Sequence, residues 1–344
     1  MAMNDNRPAA RRVSIRDIAS AAGVSVTTVS HSLNGKGRVL PDTRARVLAL
    51  AEELGYTANP HAQRLATGRH MTIAVQISGV GRKALVTDSA YFVDVLNSVS
   101  ATALDHGYTA VLAAPDMGPR DIETFAVDGA IVIDPTGTEP LLQALSARGA
   151  PVVTTGRVLR DGVALSSVDN DLRKAATRVL DHFLEAGYER PAILTGPITR
   201  SYAADTLAAY EEWTAAHGIE PISVPARSGM SAAAAISAAE ALLSHEPRPD
   251  AVYAMLDVLA LATLHVARQR GLSVPGDLGI AGAVDSDGLR WADPPLTALN
   301  LHPARIGREA VELLTAVLAD PVQAHRSVTV PTRLIPRAST ARRG

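Results

Sequence analysis

The chain has 344 residues, more than one typical domain needs, and 47% of them are hydrophobic, ample for a packed core. Its formal charge is −2 and it has no cysteine, which excludes disulfides, thiolate chemistry and cysteine-ligated metals. No apolar run approaches the roughly 18 residues a membrane-spanning helix needs. Met1 to Arg12 is polar and basic, with no apolar stretch behind it of the kind a secretory signal carries, so a cytoplasmic location is the simplest expectation.

The charge is unevenly spread. Residues 1–70 hold ten Lys and Arg against five Asp and Glu, a surplus of +5, which leaves −7 on the rest of a chain whose total is −2. A basic head on an acidic body suits a polyanion bound by the head alone, although a solvated basic tail gives the same count.

In chain order, Ser14 and Asp17 frame a helix start, with Ile15, Ile18, Ala19 and Ala22 recurring on one face until Gly23. Ser25 then caps a second short helix on which Val26, Val29 and Leu33 recur. Two short helices joined by a tight Gly-containing turn describe a helix-turn-helix or an ordinary helical hairpin. The second helix carries Ser25, Thr27, Thr28, Ser30 and Ser32, small hydroxyls suited to phosphates and base edges. Asn34-Gly35-Lys36-Gly37 ends it. Pro41-Asp42-Thr43 opens a third helix with the stripe Val47, Leu50, Ala51 and Leu54, stopped at Gly55. Asn59 as cap, Pro60 at the first helical position and Gly68 as stop predict a short helix that is marginal on its own.

From Met71 apolar runs alternate with amphipathic ones. Strands are predicted at Thr72–Ile77, Thr109–Ala113, Gly129–Ile133, Pro151–Thr155, Ala164–Val168, Pro191–Leu194, Ala251–Ala254 and Leu278–Ala283, with a late one at Ser327–Ile335. Helices are predicted at Asp94–His106, Leu141–Arg148, Asp171–Ala186, Ser231–Ser244 and Val258–Arg270. Such alternation implies parallel, doubly wound sheets, and its repetition on both sides of about residue 160 implies two of them. Ligands of open α/β sheets sit beyond the carboxyl ends of the strands. Gly79-Val80-Gly81 lacks the third glycine of a dinucleotide loop, the histidines lack metal spacing, and Asp285-Ser286-Asp287-Gly288 reads as a turn. No catalytic set stands out. Neither enzyme activity nor a cofactor is expected.

The run Ile15-Arg16-Asp17-Ile18-Ala19, Gly23-Val24-Ser25-Val26-Thr27-Thr28-Val29-Ser30, Leu33-Asn34-Gly35, Thr43-Arg44, Leu54-Gly55-Tyr56 and Asn59-Pro60 strongly resembles the head of LacI/GalR-type transcriptional regulators. The body resembles theirs less tightly. This likeness implies an α/β protein with a helix-turn-helix DNA-binding head at 1–58, a hinge helix at 59–70, and a periplasmic-binding-protein-like body. Its N-terminal subdomain is expected at 71–160 and 300–325, its C-terminal one at 161–299 and 326–344. A repressor modulated by a small molecule is implied. No terminal leucine heptad marks a tetramer, so a homodimer on a pseudo-palindromic operator is expected.

By the same resemblance Val26, Thr27 and His31 face base edges. Ser25, Thr28, Ser30, Asn34, Thr43 and Tyr56 contact or position phosphates. Asn59, Ala62 and Leu65 enter the minor groove, Leu65 as the apolar wedge. His31 stands where the family commonly has Arg, and an imidazole cannot grip guanine with a charged fork. It either reads a base or merely caps the helix. Sugar-binding members usually carry Arg, Asn and Asp at the places of Thr206, Leu256 and Val284. That pattern implies a less polar ligand, another binding mode or weaker sensitivity. The other effector candidates are Tyr91, Phe92, Arg157, Arg200, Tyr202, Asp257, Asp285 and Trp291. A transport receptor with the same body conflicts with the DNA head, and an α/β enzyme with the missing catalytic set.

Overall fold

The computed structural model describes residues 13–33, 37–56, 69–79, 90–160, 165–225, 231–323 and 325–341. They fall into two units, Met1–Arg69 and His70–Gly344. The helix predicted over 59–68 lies outside the described residues.

In the first unit, α1 (Ile15–Ala22), α2 (Val26–Leu33) and α3 (Pro41–Glu53) share one small core. The Asp17 carboxylate accepts from the Ser14 backbone N–H at 2.8 Å and from its hydroxyl at 2.7 Å, fixing the start of α1. Gly23 and Gly55 end α1 and α3 at φ near +63°, a left-handed conformation that costs a side-chain-bearing residue more. Past each glycine the next N–H turns back onto the helix, Val24 to Ala19 O at 3.1 Å and Tyr56 to Ala51 O at 2.8 Å. Ile18, Val29 and Val47 are fully buried at the centre, with Ala19, Ala22 and Ala51 around them. Two members of the expected stripes do not join it: Val26 is 42% exposed and Leu54 38%. Val26 therefore belongs to the outer face of α2.

The second unit contains two six-stranded sheets. The first comprises β1 (Thr72–Ile77), β2 (Thr109–Leu112), β3 (Gly129–Ile133), β4 (Val152–Thr155), β5 (Ser166–Asn170) and β11 (Ser327–Val330), in the order β11-β5-β4-β3-β1-β2 and wholly parallel. The second comprises β6 (Pro191–Thr195), β7 (Ser223–Pro225), β8 (Ala251–Ala254), β9 (Gly279–Gly282), β10 (Thr297–Asn300) and β12 (Arg333–Ile335), in the order β12-β10-β9-β8-β6-β7. It is parallel except where β12 runs antiparallel to β10. Central strands such as Gly129–Ile133 and Ala251–Ala254 are buried along their whole length, because helices cover both faces.

On the first sheet, α4 (Ala90–Asp105) and α12 (Pro303–Ala319) cover one face around Val95, Val99, Ile306 and Leu314. The other face carries α5 (Pro119–Thr124) and α6 (Pro140–Ala147). On the second sheet, α7 (Leu172–Glu185) and α8 (Ser201–His217) pack one face. Helices α9 (Ala232–Leu242) and α10 (Asp257–Gln269) pack the other. A single turn of helix, α11 (Asp287–Arg290), follows β9. Among the described residues no helix is long and apolar enough to cross a membrane.

Sheet membership moves the expected subdomain boundaries. β5 pairs with β4 and β11 pairs with β5, so residues 166–170 and 327–330 belong to the first layer, not the second. The predicted strand Ser327–Ile335 is in fact two strands in different sheets, parted at Pro331-Thr332 because proline cannot continue a ladder. The chain thus crosses between layers three times, after β5, after β10 and after β11. Asn170 ties the three crossings together: its side-chain amide donates to Leu301 O at 3.2 Å and to Val330 O at 2.9 Å.

Candidate functional site

Two surfaces have the makings of a site, one on each unit. On α2, Val26 and Thr27 are exposed and Ser30 and His31 half-buried. Spacings of three and four residues put these four on one side, away from the buried Val29 and Ser32. The hydroxyls do not all face outward. Ser25 Oγ accepts from the Thr28 N–H at 3.0 Å and lies 2.9 Å from Thr28 Oγ1, so this pair caps the helix. Ser32 is 3% exposed and donates back to Thr28 O at 2.8 Å, which withdraws it from any outside partner. The His31 ring lies close to Gly37, where a Cβ would sit 2.9 Å from the ring's Cγ. Thr43 is half-buried at the start of α3, and Tyr56 packs partly on the head core. Arg16, Arg38 and Arg46 are exposed on the same unit. Asn34, Asn59, Ala62 and Leu65 lie outside the described residues.

In the body, the carboxyl ends of the first sheet's strands meet the first turns of α8. Asp134 follows β3, Arg157 follows β4, Asp169 lies in β5, and Tyr91 opens α4. Arg200, Ser201, Tyr202 and Asp205 come from α8 and its cap. Arg157 joins the two layers: it pairs with Asp205 of α8 and with Asp169 of β5 at 3.5 Å, and its N–H donates to Ser201 Oγ at 3.0 Å. The Asp205 hydrogen bond and the two carboxylates hold the Arg157 guanidinium above its ordinary value, against the pull of partial burial.

The carboxylates are perturbed the other way. Burial lifts Asp134 from 3.8 to about 7, with Arg200 opposing and Asp169 adding to the rise. Burial likewise lifts Asp169 to about 6, offset by the Asn170 N–H and Arg157. The Tyr91 and Tyr202 hydroxyls are raised by burial and by the charge on Asp134. Beside this cluster a groove of about 280 Å³ is lined by Arg157, Asp169, Asn170, Arg173, Asp205 and Thr329. An arrangement of perturbed acids, two guanidiniums and two phenols between two layers can bind a polar small molecule. It offers no activated nucleophile.

Of the predicted effector residues, Tyr91, Arg157, Arg200 and Tyr202 come together here. Phe92 is one step removed, edge-on to Tyr91 with ring centroids 5.6 Å apart. The others do not join the cluster. Thr206 is 1% exposed inside α8, and Leu256 packs on the second sheet's core. Asp257 turns its carboxylate onto the Val258 N–H at 2.8 Å, and Val284 is half-buried. Asp285 is taken by Arg337 at 2.6 Å and Arg290 at 3.1 Å, while Trp291 is 84% exposed. Asp134, Asp169 and Asp205 escaped the sequence reading. Asp134 sits in an Asp-Pro-Thr-Gly stretch that looks like a turn, and its positive φ of 51° is visible only in the fold.

A helix-turn-helix head on a two-layer α/β body with a polar cleft defines a ligand-responsive DNA-binding regulator. Residues 14–59 match the family model for bacterial regulatory proteins of the lacI family, and residues 180–340 that for a periplasmic binding protein-like domain. The chain is 30% identical over 335 residues to the HTH-type transcriptional regulator CelR of Thermobifida fusca, covering 94% of this chain and 96% of that protein. The chain therefore belongs to the lacI family. Its fold is similar to that of a CelR–cellobiose complex, with a TM-score of 0.71 and 28% identity over 95% of this chain and all of the other. It also resembles the lac repressor dimer bound to operator and the anti-inducer ONPF, with a TM-score of 0.73 over 96% of this chain and 99% of that one. At 23% identity that second likeness concerns the fold alone. These relatives are transcriptional regulators, not enzymes.

Proposed function

We propose that the protein is a repressor that binds a pseudo-palindromic operator as a homodimer and changes its affinity when a small molecule fills the cleft. The observation that carries this reading is the Arg157 bridge. It joins the first layer to α8 across the place where a ligand would act, so filling the cleft and moving the layers are one event. In the head, the exposed face of α2 supplies base contacts through Val26, Thr27 and His31. Ser25, Thr28, Ser30, Asn34, Thr43 and Tyr56 hold phosphates. Asn59, Ala62 and Leu65 complete the complex in the minor groove, with Leu65 prying apart one base step. A small-molecule effector is supported by CelR, a relative whose structure holds cellobiose.

The test is fluorescence anisotropy of the intact protein on a labelled operator duplex, titrated with small metabolites. At least one compound should shift the midpoint, with its own affinity changed by the same factor when operator is bound. Leu65→Ala should lower specific affinity and spare binding to random DNA, since only the bent complex uses the wedge. Equal loss on both duplexes refutes that role.

A further inference from the structure

Arg200 is 6% exposed, yet among the described residues no hydrogen bond or ion pair engages its guanidinium, and Nη1 is sealed from solvent without an acceptor. A guanidinium carries five N–H donors and does not shed its proton, so burial without acceptors is costly wherever it occurs. The neighbouring cation, Arg157, is already matched by Asp169 and Asp205. Asp134 exerts its charge on this region but does not pair with Arg200, and burial leaves it about half protonated near neutrality. Among the described residues, no carboxylate forms an ion pair or hydrogen bond with this guanidinium.

The surroundings leave room for one. Gly79, just past β1, has φ +73°, and a Cβ there would run into the Arg200 head group. The guanidinium thus lies directly under bare backbone. Arg200 also caps the 17-residue helix α8, whose dipole adds positive potential at the same end.

We propose that the cleft ligand is an anion, a small metabolite whose carboxylate or phosphate docks on Arg200 beneath Gly79 while its hydroxyl or amine groups face Asp134. This rests on the effector-cleft reading above and names the ligand class of that site. A neutral carbohydrate would satisfy N–H donors but would leave the charge uncompensated. The polarity missing at Thr206, Leu256 and Val284 is supplied instead from Arg200, Asp134 and their neighbours, so the expectation of a less polar ligand is replaced by a charged one.

The test uses calorimetry and thermal shift on the full chain with matched probes: gluconate and glucose 6-phosphate, neutral glucose and cellobiose, and inorganic phosphate. An acidic probe should bind about tenfold or more tighter than its neutral counterpart, as a charge-assisted bidentate contact gives. Arg200→Met should abolish that advantage, and Arg200→Lys, which keeps the charge without the planar fork, should retain part of it. Millimolar phosphate should raise the melting point of the wild type and not of Arg200→Met. Should Arg200→Met fail to fold, the lysine variant and the probe pairs decide alone. Neutral probes binding as tightly as acidic ones overturn the proposal and leave the effector cleft standing. If no probe of either kind binds, the effector reading falls and the proposal with it.

Discussion

Replacing Asn170 by Ala removes a side chain that bonds the second and third crossings to the end of the first. Both of its partners, Leu301 O and Val330 O, are carbonyl oxygens, so the amide must present its NH₂ group, one hydrogen to each. Each bond contributes about 0.5–1.5 kcal/mol net, and a buried carbonyl left without a donor costs about 1–3 kcal/mol. Asn170 is 7% exposed and the Val330 bond is fully enclosed, so one carbonyl is stranded outright and the other in part. The expected loss is roughly 2–4 kcal/mol, or about 4–8 °C in melting point for a body of this size. Asn170→Asp should lose more, because a carboxylate facing two carbonyls has nothing to donate. Urea unfolding of the full chain, followed by the body's circular dichroism, measures both variants. A midpoint shift with unchanged slope reports stability alone. A loss below about 1 kcal/mol, or an Asp variant as stable as the Ala variant, would refute the role of Asn170 as a staple.

The cleft acids predict a pH dependence. Asp134 has a folded value near 7 against 3.8 for an unperturbed carboxyl. Its contribution to stability is therefore fully present below the unfolded value and is lost as pH rises through 7. Between pH ~6 and ~8 the loss amounts to about 1 kcal/mol from this group, and Asp134→Asn should flatten that part of a melting-point profile. An unchanged profile removes Asp134 from the account. In the head, Val29→Ala opens a hole in a core of few residues at a cost of about 1–3 kcal/mol. DNA affinity should then fall on every sequence while the body's melting transition stays put; a shifted body transition contradicts the two-unit division. His31→Ala should relax preference at one base pair of each half-site, as read by competition with single-base operator variants. An unaltered preference assigns His31 to the turn at Gly37 alone.

Much of the fold follows from local pattern. Thr72–Ile77, Gly129–Ile133 and Ala251–Ala254 read as strands because a doubly covered parallel sheet demands unbroken apolar runs. The head was equally legible, since capping residues and turn glycines stand at fixed offsets. Helix α8 was not singled out, because Ser201, Thr206 and Thr214 lie on its buried side and blur the apolar stripe. By contrast, α12 carries a regular apolar stripe of Ile306, Ala310, Val311, Leu314 and Val317, a pattern legible in the sequence. Pro331 was the local sign that the last strand divides. The boundary near residue 160 was misplaced because β5 carries Ser166, Ser167 and Asp169, which do not resemble a core strand. At the cleft, Arg157 and Arg200 were legible as charged residues near strand and helix ends. Their partners Asp169 and Asp205 were not, since pairs separated by 12 and 48 positions are set by packing between layers.

The most direct test of the central claim is selection of bound duplexes from a random DNA pool by the intact protein, followed by sequencing. A dimeric lacI-family regulator reading bases through α2 predicts enrichment of one two-fold pseudo-palindrome, with a central step that tolerates opening by an apolar wedge. No enrichment, or enrichment of a single asymmetric half-site, would contradict it.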